Sequence, residues 1–221
     1  MIASFQPAAV RARVTRLAVS LCNCAASQAP VIFSHSGARA IGDHPRNVPD
    51  DVLRQVAKNR GVVMADFATG YVSEARRLWN GDQAGEAARE ASLLVGQPEK
   101  RKAAMAAWVA AHPMPRVTLA QVADHIEHIR KVASIDNIGI GSDFDGIPTS
   151  PDGLSGVDNY PDLFVELARR GWSDQDLAKL AGGNILRALR EAEKVSARLR
   201  ASRPASEGLI EVMDAPARSG G

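Results

Sequence analysis

Ile138-Gly139-Ile140-Gly141-Ser142-Asp143-Phe144-Asp145-Gly146 is a short apolar run that ends in carboxylates. Ala29-Pro30-Val31-Ile32-Phe33-Ser34-His35 is a run of the same kind that ends in a histidine, and Gly61-Val62-Val63-Met64-Ala65-Asp66-Phe67 lies between the two. A strand buried on both faces of a parallel sheet reads as a continuous apolar, β-branched run, and in α/β barrels the chemistry sits where such strands end. The pattern predicts strands at 30–35, 61–67 and 137–143. A histidine at one strand end and an aspartate at another make half of a metallohydrolase site.

Working outward, helical signals alternate with these runs. Pro49-Asp50-Asp51 opens a helix with proline early and two acids in the first turn, facing the positive end of the helix dipole. Val52, Leu53, Val56 and Ala57 give its apolar face, and Asn59-Arg60-Gly61 ends it. Residues 72–116, rich in Ala, Arg and Glu, read as a helical insertion, a lid or flap. Thr118 and Gln121 make a capping box for a helix to about Val132. Pro148 to Tyr160 is a loop, followed by helices at about 161–170, 174–181 and 184–195, with Ser173 and Asn184 as the expected N-caps of the last two. The order is βαβαβα, which predicts an α/β arrangement of about three parallel strands with outer helices. Three strands do not close a barrel, so the expected fold is part of a (β/α)8 barrel.

Residues 1–28 form an atypical, Ala- and Arg-rich leader, 29–195 the barrel domain, and 196–221 a tail expected to be disordered. The chain has 221 residues, short for a full barrel of about 250. Its net charge is +2 with 5% aromatics, which argues against a nucleic-acid partner. Cys22 and Cys24 cannot supply a zinc ligand set. No run approaches the roughly 18 apolar residues of a transmembrane helix. Arg11, Arg13 and Arg16 ahead of Leu17-Ala18-Val19-Ser20-Leu21 outline a secretory signal, but the apolar stretch is short and Ser20 and Asn23 interrupt it. The expectation is a cytoplasmic protein, with export as the alternative.

Five residues carry the candidate chemistry. His35, as a neutral imidazole at a strand end, suits a zinc ion. Asp143 and Asp145 would share a face in an extended chain, where an aspartate can take and return the proton of an attacking water; equally, both could cap the turn at Gly146. Arg46 and Asn47 precede the Pro49 helix, where an arginine fork can grip a substrate carboxylate or simply face water. His44 is left open between substrate and solvent. His125 and His128 share one face of the 118–132 helix, which should lie on the outer ring, so a structural role is expected. His112 in its connector carries no signal.

Phe33-Ser34-His35-Ser36-Gly37-Ala38-Arg39 and Asp43-His44-Pro45-Arg46-Asn47-Val48-Pro49-Asp50-Asp51 resemble the C-terminal half of the membrane dipeptidases, peptidase family M19. So do Gln121 to Ile129, Gly139 to Gly146, Tyr160-Pro161-Asp162-Leu163 and Gly182-Gly183-Asn184. The resemblance runs from about Ala29 to Val195 and implies a two-zinc barrel that hydrolyses dipeptides through a metal-bridging hydroxide. It implies His35 as a metal ligand, Arg46 with Asn47 as substrate-binding residues, and Asp143 as the catalytic aspartate. It also implies that the remaining protein ligands of the zincs belong to strands with no counterpart here, since no histidine occurs in 1–34. A shifted reading frame or an alternative start would leave residues 1–28 in that state. The expectation is therefore a metallodipeptidase by family with little or no activity alone. The alternatives are a non-catalytic fragment or half of a complementing assembly, and another metal-dependent amidohydrolase. An open sheet edge at 30–35 predicts self-association or a partner.

Overall fold

The computed structural model describes Cys24 and residues 26–204. Three strands, β1 (Ile32–Phe33), β2 (Val62–Ala65) and β3 (Ile138–Ile140), form one parallel sheet in the order β1-β2-β3. Ile32 pairs with Val62, and Val63 with Ile138. This is the expected arrangement, with shorter ladders. The outer residues of each run leave regular pairing but stay tethered: Ser36 N–H donates to Met64 O, Gly141 N–H to Ala65 O and Phe67 N–H to Ser142 O. The strand ends are thus loops held in place by the sheet. Among the described residues, β1 pairs with β2 alone.

Helix α1 (Asp50–Asn59) crosses from β1 to β2, burying Val52, Leu53 and Val56. Arg60 ends it in the left-handed region (φ 61°). The next residue must be glycine, because a Cβ at Gly61 would lie 2.4 Å from Val31 O, the carbonyl that Val62 N–H bonds. Residues 69–111 then form α2 (Thr69–Val72), α3 (Glu74–Leu93) and α4 (Pro98–Ala111). The last two pack through Trp79 and Trp108, with ring centroids 5.6 Å apart, and Trp79 Nε1–H donates to His112 O. α4 buries none of its residues.

Helix α5 (Leu119–Val132) starts at the capping box read from the sequence, with Thr118 N–H donating to Gln121 Oε1 at 2.9 Å. Its inner face of Val122, Ala123, Ile126 and Ile129 is fully buried. α6 (Tyr160–Arg169) buries Leu163 and Leu167, and α7 (Asp174–Ala178) has Ser173 as its cap.

Two expectations about the C-terminal helices change. Asn184 is not an N-cap: the chain does break at Gly182 (φ 172°, ψ −15°), as the glycines suggested, but Gly183 is already helical, so Asn184 lies inside the first turn of α8 (Asn184–Ser202). The Asn184 amide instead turns inward and donates to Ile135 O and Ile138 O, satisfying carbonyls beside β3. α8 also continues to Ser202, so the first part of the expected tail is helix, with Arg198 donating to Gln28 Oε1. Arg, Leu and Ala in 197–201 are strong helix formers, and this outweighs the polar composition. Residues 1–23, most of the expected leader, and 205–221 lie outside the described residues. No helix among those described is long and apolar enough to cross a membrane.

Candidate active site

The C-terminal ends of the three strands converge because the sheet curls. Gly141, after β3, lies so near Ser34, after β1, that a Cβ there would sit 2.1 Å from Ser34 O and 2.8 Å from Met64 Cβ. That approach brings His35, Asp66 and Asp143 to one mouth, with the loop 36–48 as its wall.

His35 is half-buried. Its Nδ1 is 2.7 Å from Ser34 Oγ and its Nε2 is 2.5 Å from Arg46 Nη2. A guanidinium only donates, so Nε2 accepts, and the neutral ring carries its proton on Nδ1 and donates it to Ser34. The sequence assigned His35 and Arg46 to two different ligands. The structure brings the two side chains into contact with each other.

Arg46 also lies over the ring of Tyr71, with Cζ 5.6 Å from the centroid. Tyr71 stacks on His44 at 3.9 Å, and His44 Nδ1 accepts from Arg46 N–H. His44 therefore belongs to the wall under the arginine.

Asn47 is 2% exposed. Its Oδ1 accepts from Gly37 N–H, and its Nδ2 donates to Gly42 O and Tyr71 O. Every hydrogen bond an amide can readily make is used on the loop's own backbone, so this geometry has it hold the wall and leaves it nothing to offer a substrate.

Asp143 has φ 67°, the left-handed region, and its carbonyl accepts from Gly146 N–H. The turn reading of this aspartate is thus realised in its backbone. It also removes the premise that Asp143 and Asp145 share a face, because the chain is not extended there. The Asp143 carboxylate folds over Gly146, where a Cβ would meet its Oδ1 at 2.6 Å. The half-buried carboxylate has no hydrogen-bond partner among the described residues, which leaves it available for proton transfer.

Asp66 is the site residue that sequence reasoning missed. It is 1% exposed, its Oδ1 accepts from Ala68 N–H, and its Oδ2 has no partner. Burial pushes its carboxyl above the usual range, opposed by the Ala68 N–H; Asp143 adds to the rise, while His35 and Arg46 counter it. The signal was present, since the 61–67 run also ends in an acid, like its neighbour at 137–143.

The raised Asp66 value has a thermodynamic consequence. The native state holds this proton more tightly than the unfolded chain, so the ionised group weakens the fold above the carboxylate range. Asp66→Asn is expected to stabilise the protein by about 1–3 kcal/mol at pH 7, the scale of a buried polar atom left without a partner. The gain should shrink as acidification protonates the wild type. Urea unfolding at pH 7 and pH 4 checks this, and equal stabilities at pH 7 would refute it.

The other histidines are structural. His125 is 1% exposed; its Nδ1 accepts from Ala38 N–H and its Nε2–H donates to Val72 O. His128 bonds Asp50 across to α1 at 2.7 Å, and His112 stacks on Trp108. Among the described residues no group of three or more His, Cys, Asp or Glu side chains is placed to hold a metal ion. With His35 Nε2 occupied by Arg46 as well, the described residues do not by themselves fit a metal centre.

Comparison with known proteins agrees with this architecture. The family described as membrane dipeptidase (peptidase family M19) matches residues 13–203. An uncharacterized dipeptidase of Schizosaccharomyces pombe is 40% identical over 168 residues, covering 76% of this chain and 32% of that one. The crystal structure of the probable dipeptidase PvdM from Pseudomonas aeruginosa superposes with a TM-score of 0.63 at 27% identity, covering 86% of this chain and 55% of that one. The structure of dipeptidase AC, a metallopeptidase of family M19, shares the fold at a TM-score of 0.55 and 24% identity, over 76% of this chain and 39% of that one. The chain thus spans about a third of the length of the curated relative and about half that of the solved structures. With a match over most of its length, the chain belongs to the membrane dipeptidase family, peptidase family M19.

Proposed function

We propose that these residues form the dipeptide-holding side of an M19 metallodipeptidase site, and that the 221 residues hydrolyse dipeptides little or not at all by themselves. The observation that carries this reading is the convergence of His35 and Asp143, past the ends of parallel strands, with Arg46 of the adjoining loop, in a chain of this family.

Arg46 is the only one of these with two donors to present to a carboxylate. A dipeptide's terminal carboxylate would draw its guanidinium from His35, since a charged acceptor makes a stronger bond than a neutral imidazole. Asp143 is the acid–base residue, close enough to the cleft to take a proton from an attacking water and to return it to the leaving amine. Asn47 and His44 hold the wall. The metal of this reading is zinc, with His35 as one ligand, and a single imidazole does not fix such an ion.

Calorimetry of the purified chain with Gly-Leu is expected to show binding, and Arg46→Ala should weaken it at least tenfold, since a bond to a charged group contributes about 1.5–3 kcal/mol. Absence of binding by the wild type would sink the carboxylate-clamp reading. Sustained hydrolysis of Gly-Leu by the chain with added zinc would overturn the inactivity.

A further inference from the structure

Beside the mouth lies a cavity of about 480 Å³ walled by α2, the start of α3 and the loop after β3. Asp143 and Tyr71, two residues of the site above, line it on one side; Arg76, Trp79 and Asn80 line the other. Arg76 is 7% exposed, and its guanidinium has neutral partners only. Nε–H donates to Asn80 Oδ1 at 3.0 Å, Nη2 is 3.5 Å from Thr149 Oγ1, and Cζ lies 5.4 Å from the Trp79 ring centroid.

Among the described residues Arg76 forms no ion pair, although Arg77 and Arg89 on the same helix, Arg130 on α5 and Arg170 just after α6 all do. Burying a cation without an anion is costly, and buried charges are ordinarily paired. The fold has not minimised that cost. It holds the guanidinium in place: Ser73 caps the helix beneath it by accepting from Arg76 N–H, and Thr69 Oγ1 bonds Thr149 Oγ1 across the cavity wall at 2.9 Å. Asn80 Nδ2 lies over Gly70, 2.8 Å from where a Cβ would stand, and so belongs to the same wall. That amide nitrogen has no acceptor among the described residues, so it and Arg76 are donors converging on one space.

We infer that this cavity binds a carboxylate, namely the side chain of an acidic residue at the C-terminal position of a dipeptide whose main-chain carboxylate lies on Arg46. The assignment rests on the carboxylate-clamp reading of Arg46. Tyr71 links the two arginines, since Arg46 lies over its ring and the same ring borders the Arg76 cavity. The side chain nearest the clamped carboxylate is that of the C-terminal residue. Trp79, Ile147 and Met114 supply apolar wall for its methylenes.

The test compares Gly-Glu with Gly-Gln, which differ by one charge at the same size, by calorimetry on the 221-residue chain. Gly-Glu is expected to bind at least tenfold more tightly, and Arg76→Gln should collapse the ratio to within about twofold. Arg76→Lys, which keeps the charge but loses the planar fork, should retain part of it; this guards against a folding defect in the first variant. Equal wild-type affinities for the two peptides would overturn the inference and leave the Arg46 reading standing. Absence of binding by both would remove the two together.

Discussion

His125→Ala is expected to cost about 4 kcal/mol of folding stability, a large share of the roughly 5–15 kcal/mol that holds a domain together. Three effects add. The imidazole is 1% exposed, so truncation leaves a cavity. Ala38 N–H and Val72 O each lose their partner in a buried place, at about 1–3 kcal/mol per group. Gly37 also rests on this ring, since a Cβ there would meet His125 Nδ1 at 2.7 Å. The loop that carries Arg46 and the short α2 helix are therefore joined through one side chain of α5.

The pH dependence has a definite sign. Burial pushes the His125 imidazole below its ordinary value of 6.5, with the bond to Val72 O opposing it. The unfolded chain therefore takes up this proton first on acidification, so His125 contributes stability above pH 6.5 that is lost as pH falls below it. Urea unfolding between pH 5 and 8 should show that slope in the wild type. His125→Gln, which cannot titrate, should flatten it, and an unchanged slope would count against the assignment.

Gly141→Ala is the second large effect. A methyl at this position would sit 2.1 Å from Ser34 O and 2.8 Å from Met64 Cβ, and the nearer contact is backbone that cannot rotate away. Overpacking of this kind costs about 1–3 kcal/mol and sometimes more, and the rigid partner puts Gly141 at the upper end. Relief requires the ends of β1 and β3 to separate, which moves His35 from Asp143. Thermal unfolding should show the loss, and calorimetry the loss of dipeptide binding at temperatures where the variant is still folded. Gly85→Ala on α3, with open space around its Cβ, is the control and should be neutral or stabilising. A Gly141 variant as stable as that control would show that the sheet is not closed at this point.

The parallel sheet could be read from the sequence because each strand is a buried apolar run of a kind that exposed segments do not show. His35 and Asp143 stood out for the same reason, as polar residues at the ends of such runs. Asp66 did not, because one acid inside an apolar stretch reads as a strand end and nothing more; its missing partner is visible only in three dimensions. Asn184 misled for a related reason. Gly182-Gly183 looks like a break, and Asn after a break looks like a cap, whereas the carbonyls of Ile135 and Ile138 compete for the amide and win. Arg76 sits in what reads as an ordinary charged helical stretch, so neither its burial nor its lack of an acid could be inferred from spacing.

Asn47 bears on how the wall between β1 and α1 meets a ligand. Loops ordinarily lose conformational freedom when they close on what they bind, at about 1–2 kcal/mol for each residue fixed. Here a single amide already ties Gly37, Gly42 and Tyr71 together, and Val48 N–H bonds Gly37 O across the base of the same loop. The wall is pre-organised: its entropy was given up when the chain folded. On the carboxylate-clamp reading proposed above, the group that would move on binding is the Arg46 guanidinium, leaving His35 for the ligand while the wall stays fixed.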